Sequence, residues 1–150
     1  MGTYIAPSRH TRMKCGSHRP YVLVTGAQDE TRFMLKALLE MWDFEVAASP
    51  DVTASIELAE RRRPELILFD ATSVSEESLE TLTTLKTNKN FRDVPCIVIS
   101  GFSRADFRKA AIEHGASDLL IKPIDFDFFE SYLGEITHSS KQTRREGGHA

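Results

Sequence analysis

Short runs of consecutive apolar residues, set between helical patterns, are the feature that most constrains how this chain folds. Because the apolar residues follow one another rather than alternate, both faces of each predicted strand are expected to be covered. This arrangement predicts a mostly parallel sheet between two layers of helices. The runs are YVLVTG (21–26), ELILFD (65–70), CIVIS (96–100), LLIK (119–122) and a weaker FEVAAS (44–49).

The segments between these runs carry five helical patterns. The second pattern starts at Ser49-Pro50, a capping residue before a proline suited to the first helical position. The third covers about 75–87, the fourth runs from Ser103 to Gly115, and the fifth follows Asp125. The first covers 29–42, and its apolar residues at spacings of three and four are Phe33, Met34, Ala37, Leu38 and Met41.

Five alternations of strand and helix predict an α/β fold with right-handed crossovers and a doubly wound open sheet. In such a sheet, a chemical site lies beyond the carboxyl ends of the strands. An acid, a hydroxyl and an amine are expected to meet there. Those ends read Thr25-Gly26-Ala27, Asp70-Ala71-Thr72, Ser100-Gly101 and Lys122-Pro123.

Over about residues 20–137, this set resembles the receiver domain of two-component response regulators. The resemblance lies in the order of strands, in "ELILFD" ending at Asp70, and in "GASDLLIKP" near the end. It implies a single flavodoxin-like domain whose five-stranded parallel sheet has the order 2-1-3-4-5 and is covered by five helices. Outside this range, the short basic tails, 1–19 and 138–150, are expected to be disordered because of their composition.

The resemblance implies roles for three residues. Asp70 matches the aspartate that takes a phosphoryl group, Ser100 the hydroxyl ending the fourth strand, and Lys122 the lysine before a proline. A carboxylate can attack phosphorus to form an acyl phosphate, and catalysis then rests on positioning and charge neutralisation. Lys122 would supply positive charge and Ser100 a hydrogen bond. Independently of the family, Lys122 could simply pair with Asp70 and stabilise that edge of the sheet.

The resemblance also implies Mg²⁺, held by two adjacent acids after the first strand, but Gly26 and Ala27 stand at those positions. The ligands left are Asp70 and the carbonyl of Thr72, few for an ion that demands near-octahedral oxygen coordination. Asp29 and Glu30 fall in the first turn of a helix, where acids suit the helix dipole. We therefore expect weakened or absent Mg²⁺ dependence.

Two further positions differ from the family pattern. Leu119 stands where an aromatic residue usually moves with the signal, and Ser73-Val74 replaces the usual methionine and proline after the aspartate. The resemblance implies a sensor histidine kinase or a phosphotransfer protein as donor. A downstream protein would bind the face of the fourth helix, fifth strand and fifth helix, and the chain could also form a homodimer. That face is expected to include Arg104, Phe107, Arg108, Leu119 and Phe126.

The composition of the chain restricts the number of domains, the partners and the location that can be expected. The 150 residues are 41% hydrophobic and 27% charged, typical of one globular domain, and no apolar run approaches the roughly 18 residues that span a bilayer. The net charge is −3 although both tails are basic, so the middle is acidic and direct nucleic-acid binding is not expected. Cys96 lies in an apolar run and is expected to be a buried free thiol. We expect a cytoplasmic protein with no membrane contact.

Three functions remain open. The first is a phospho-accepting signalling domain, which is not an enzyme beyond self-phosphorylation and dephosphorylation at Asp70. The second is a phosphorylation-independent pseudo-receiver that acts as an interaction or dimerisation module. The third, a small flavodoxin-like enzyme or nucleotide binder, is the weakest, because "TGAQDE" after the first strand lacks a glycine-rich phosphate loop.

Overall fold

A computed structural model describes residues 19–71, 76–101 and 105–149. Within it, five strands form one parallel sheet in the order β2-β1-β3-β4-β5, so the predicted flavodoxin-like topology is confirmed. The strands are β1 (Tyr21–Thr25), β2 (Glu45–Ser49), β3 (Leu66–Ala71), β4 (Cys96–Ser100) and β5 (Asp118–Ile121).

Five helices alternate with these strands, as predicted. They are α1 (Asp29–Met41), α2 (Val52–Arg61), α3 (Glu76–Thr87), α4 (Ala105–Glu113) and α5 (Phe126–His149). Within the described ranges, none of the helices is long and apolar enough to cross a membrane. The predicted starts of α3, at about 75, and of α4, at Ser103, lie outside the described part of the chain.

The consecutive apolar runs fill two cores, one on each face of the sheet. Strands β1, β3 and β4 are buried along their whole length, and their side chains go alternately to the two faces. One core joins Leu23, Ile67 and Val98 to α3 and α4. The other joins Val22 and Ile99 to α1 and α5. Two-sided burial explains why apolar residues are consecutive in these strands.

The buried face of α1 differs from the pattern that predicted the helix. Leu35 and Leu39 are buried against the sheet, whereas Phe33 is 75% exposed and Met41 is 67% exposed. Helix α1 is apolar on two sides, and spacing alone does not say which side meets the sheet. The helix was predicted correctly, but most residues that defined its pattern lie on the outside.

Helix α2 begins two residues later than Ser49-Pro50 suggested. Its N-cap is Asp51, whose Oδ1 accepts a hydrogen bond from the N–H of Ala54 at 2.9 Å. Ser49 is still the last residue of β2, and its hydroxyl donates to the carbonyl of Asp51 at 2.7 Å. Ser49 therefore supports the turn before the helix rather than capping it.

Helix α5 continues to His149, into the segment 138–150 that the sequence predicts to be a disordered tail. Its buried residues up to position 137 include Phe129, Leu133 and Thr137. A helix that has been nucleated by such packing extends at little cost per residue, which accounts for its continuation to His149. The basic N-terminal segment, residues 1–18, lies outside the described residues.

Candidate functional site

Asp70 lies near the carboxyl end of β3, the central strand of the sheet. Its register partner on β4 is Ile99, and Ala71 after it pairs with Ser100. The Asp70 side chain is 0% exposed. A carboxylate is rarely buried so fully unless a positive charge or hydrogen bonds compensate it.

Lys122 supplies that positive charge from the position directly after β5, and β4 lies between β5 and β3. Its Nζ lies 2.8 Å from Oδ1 of Asp70, and its side chain is 36% exposed. The backbone fixes the lysine, since its N–H donates to the carbonyl of Ser100 at 2.8 Å directly after β5. The predicted meeting of Asp70 and Lys122 is therefore a close ion pair between a buried acid and a half-buried base.

Ser100 is the last residue of β4, between the strands that carry Asp70 and Lys122, and it is fully buried. The structure thus brings the three predicted residues to one edge of the sheet. Thr72, whose carbonyl was the remaining predicted metal ligand, lies outside the described residues.

Gly26 packs directly against Asp70 from the loop between β1 and α1. A Cβ on Gly26 would lie 2.9 Å from the Cβ of Asp70 and 3.6 Å from its Oδ2. Contacts of 2.9 Å between such carbons are too short to persist, so no other residue fits here unless the loop moves. Ala27, the second position of the expected acid pair, is exposed.

Arg32 on α1 is a residue that sequence reasoning missed. Its Nη1 donates to the carbonyl of Gly26, and its Nη2 donates to Oδ1 of Asp29. The spacing of Asp29 and Arg32 could have indicated an ion pair on the helix. It could not indicate that the same guanidinium reaches back to the loop beside Asp70.

Among the residues that the structure describes, those around Asp70 do not fit a magnesium ion. Asp29 is mostly exposed and bound to Arg32, as expected for an acid in the first turn of a helix. Within the three described ranges, no three His, Cys, Asp or Glu side chains gather in a way that could hold a metal. Lys122 already lies against the Asp70 carboxylate, and a side chain at position 26, where one of the acids would stand, would clash with Asp70. Mg²⁺ requires several oxygen ligands in fixed geometry, and this donor set does not supply them.

Only some of the residues predicted to form the partner face are exposed. Phe107 and Leu119 are buried in the core, so their inclusion was wrong, because both point to the covered side of their elements. Arg108 and Phe126 are exposed. Arg104 lies outside the described residues.

Asp118, on the edge strand β5, forms contacts that link the elements of this face. Arg108 donates to its Oδ1 at 2.7 Å and to the carbonyl of Leu119 at 2.9 Å, and the hydroxyl of Tyr132 donates to its Oδ2. Burial alone would raise the pKa of Asp118, but the hydrogen bonds from Tyr132 and Leu119 and the charge of Arg108 bring it below its ordinary value of 3.8. Helices α4 and α5 are thereby joined through one carboxylate.

Replacing Tyr132 by phenylalanine tests this link through pH. Because the pKa of Asp118 is lower in the folded than in the unfolded protein, its contribution to stability is present above the unfolded value and is lost as pH falls through the folded one. Tyr132→Phe should cost about 1 kcal/mol at pH 7 and less at pH 3. Urea unfolding at both pH values measures the difference, and an equal loss at both would contradict the link.

Comparisons with known proteins identify the family of this chain. A family model described as the response regulator receiver domain matches residues 22–133. The transcriptional regulatory protein PrrA of Mycobacterium tuberculosis is 33% identical over 111 residues, which are 74% of this chain and 47% of PrrA. The transcriptional regulatory protein ZraR of Klebsiella oxytoca is 31% identical over 102 residues, 68% of this chain and 23% of ZraR. The chain therefore spans less than half the length of either relative.

Solved structures share the fold. A response regulator from Thermotoga maritima superposes with a TM-score of 0.70 at 24% identity, covering 81% of this chain and 99% of that one. NtrX from Brucella abortus, solved with ATP, gives a TM-score of 0.76 at 21% identity, covering 89% of this chain and 30% of that one. With the family model matched over most of the sheet and helices, this chain belongs to the response regulator receiver domain family.

Proposed function

We propose that this receiver domain accepts a phosphoryl group on Asp70 and that Lys122, rather than a magnesium ion, supplies the positive charge for the reaction. The observation that carries the proposal is the distance of 2.8 Å between Lys122 Nζ and Asp70 Oδ1. Membership of the receiver family supports the acceptor role, and the misfit of the donor set to Mg²⁺ supports the metal-independent form.

The reaction needs one carboxylate oxygen to attack and one cation to stay in place. Oδ2 of Asp70 attacks phosphorus, and the bond from phosphorus to the donor's leaving group breaks, with the electron pair leaving on that group. From a phosphohistidine the leaving group is an imidazole nitrogen, and from acetyl phosphate it is acetate. Lys122 neutralises charge on the phosphoryl oxygens, and the Ser100 hydroxyl donates a hydrogen bond to one of them.

The donor in the cell would be a sensor histidine kinase or a phosphotransfer protein, in the cytoplasm. Phosphorylation adds about one and a half to two negative charges at the sheet edge, next to Ser100 and Lys122. Such a charge would redistribute the contacts of Lys122, which follows β5 directly. A downstream protein would read the change on the α4–β5–α5 face, with residues 20–137 acting as the signalling domain.

Mapping the phosphoryl group tests the acceptor. The protein is incubated with acetyl phosphate, and intact mass and peptide mapping locate the adduct. We expect one phosphoryl group on the wild type and on Asp29→Asn, a control that removes a nearby exposed acid, and none on Asp70→Asn. Absence of any adduct, or an adduct that persists in Asp70→Asn, would overturn the proposal.

A phosphorylation-independent interaction module is the second candidate. The observation that favours it is the outward apolar side of α1, where Phe33, Met34 and Met41 are exposed. Large exposed apolar side chains grouped on one helix face are typical of contact surfaces. If Asp70→Asn binds its partners as the wild type does and no adduct forms, this candidate replaces the first.

A further inference from the structure

The oxygen of Asp70 that would attack phosphorus is covered in this structure. The amine of Lys122 forms an ion pair with Oδ1 of Asp70. The other oxygen, Oδ2, has no hydrogen-bond partner among the residues the structure describes. Gly26 packs against the same side chain, since a Cβ there would be 2.9 Å from the Cβ of Asp70 and 3.6 Å from its Oδ2. The whole Asp70 side chain has no exposed surface. A phosphorus atom cannot reach a carboxylate in this position, so the conformation is closed to a donor.

Both polar backbone groups of Gly26, its N–H and its carbonyl, make hydrogen bonds that hold it beside Asp70. Its N–H donates to the carbonyl of Ser49 at the end of β2, at 3.1 Å. Its carbonyl accepts from Nη1 of Arg32, whose other nitrogen is bound to Asp29 on the first turn of α1. The Arg32 side chain is only 15% exposed, although it is charged. Hydrogen bonds from a charged donor are about twice as strong as neutral ones, so the bond from Arg32 should hold Gly26 more strongly than the neutral bond to Ser49.

We propose that Arg32 is a positioning residue that holds the loop of residues 26–28 closed over Asp70, so that a phosphodonor reaches the carboxylate only when Arg32 releases the Gly26 carbonyl. The consequence for phosphorylation rests on the function proposed above. The closure itself concerns only the packing of the loop, and it can be measured without any phosphoryl transfer.

Two opposing contributions set the balance between the closed and open loop. A buried carboxylate oxygen without a partner loses its hydration, and this cost favours opening. The bonds from Arg32 and to Ser49, with the close packing of Gly26, favour closing. Because both states belong to one equilibrium, weakening the Arg32 contact should raise the open fraction exponentially with the free energy that the contact contributes.

Chemical labelling of carboxylates measures the open fraction. The full chain is treated with a water-soluble carbodiimide and a small amine, and Asp70 is followed by peptide mass. Activated Asp70 is trapped by the added amine or by the neighbouring Lys122 amine, so both products are counted. Arg32→Met keeps the aliphatic stem and removes the donors. We expect its Asp70 labelling to exceed that of the wild type about tenfold, as for the loss of one charged hydrogen bond.

Arg62→Met is the matched control. Arg62 is also bound through both terminal nitrogens, to Glu45 at 2.8 and 3.0 Å, but Glu45 opens β2 whereas Gly26 follows the end of β1. This variant should label at the wild-type level. Amide hydrogen exchange gives a second readout, since the Gly26 N–H should exchange faster in Arg32→Met alone. Equal protection of Asp70 in Arg32→Met and the wild type, or equal deprotection in both arginine variants, would overturn the proposal.

Gly26→Ala opens the same loop by another route, since its methyl group would meet Asp70 at 2.9 Å. It keeps the test decisive if Arg32→Met does not fold, and it should also raise Asp70 labelling. Acetyl phosphate then separates the two proposals. Raised labelling without an adduct in any variant supports the closure and refutes the acceptor role. An adduct at equal rates in all variants, with unchanged labelling, refutes the closure and supports the acceptor role.

Discussion

Replacing Lys122 by methionine should lower the free energy of unfolding by about 2–4 kcal/mol. Methionine keeps most of the apolar stem of the side chain and removes its charged amine, which leaves the Asp70 carboxylate buried without a counter-charge. Breaking a fully buried ion pair in this way costs about 3–5 kcal/mol. The expected loss is somewhat smaller because the Lys122 side chain is 36% exposed and water partly screens it.

A double-mutant cycle in urea isolates the interaction. The double variant Asp70→Asn/Lys122→Met removes both charges, so it should recover most of the stability that Lys122→Met alone loses. The control Lys36→Met breaks an exposed pair with Glu40 on α1 and should cost less than about 1 kcal/mol. If Lys122→Met is as mild as Lys36→Met, the ion pair does not compensate the burial of Asp70.

Magnesium should leave the Tm of the wild type unchanged and raise that of a variant in which both acids are restored. Gly26→Asp/Ala27→Asp places carboxylates beside Asp70, and the aspartate at 26 must push the loop outward because a Cβ there meets Asp70. Without metal, this overpacking should cost about 1–3 kcal/mol. With Mg²⁺ at a hundred times its Kd, binding to the folded state should return about 2.7 kcal/mol.

Thermal unfolding with and without Mg²⁺ measures this effect. Gly134→Asp is the matched control, because a Cβ on Gly134 of α5 meets nothing within 4 Å and the added acid lies on a different element. Its Tm should not respond to Mg²⁺. A rise in the wild-type Tm as large as that of the double variant would show that the native residues hold the ion after all.

The sheet could be predicted because its physical cause is visible in the sequence. Runs such as LILF in β3 and CIVI in β4 are apolar at every position only when both faces of the strand are covered. Two-sided burial implies a parallel sheet with helices on both sides, and the observed strand order follows the predicted one. The strand ends then bring Asp70 and Lys122 together, so their contact could be anticipated from residue type and place.

Features that depend on which of two surfaces makes contact could not be predicted. Phe33 and Leu35 are both apolar, and only the seating of α1 on the sheet buries Leu35 and exposes Phe33. The same holds for Phe107, which was expected on the surface and is buried. The sequence shows that Gly26 stands where the family has an acid. Its packing on Asp70, however, depends on the distance between the ends of β1 and β3, which the sequence does not give. The reach of Arg32 to the Gly26 carbonyl also requires coordinates.

The time course of phosphorylation at Asp70, followed by intact mass with acetyl phosphate in EDTA and in Mg²⁺, tests the central claim most directly. If Lys122 supplies the charge, the wild type should gain one phosphoryl group at similar rates in both solutions, and Asp70→Asn should gain none. An adduct that forms only with Mg²⁺, or no adduct in either solution, would contradict it.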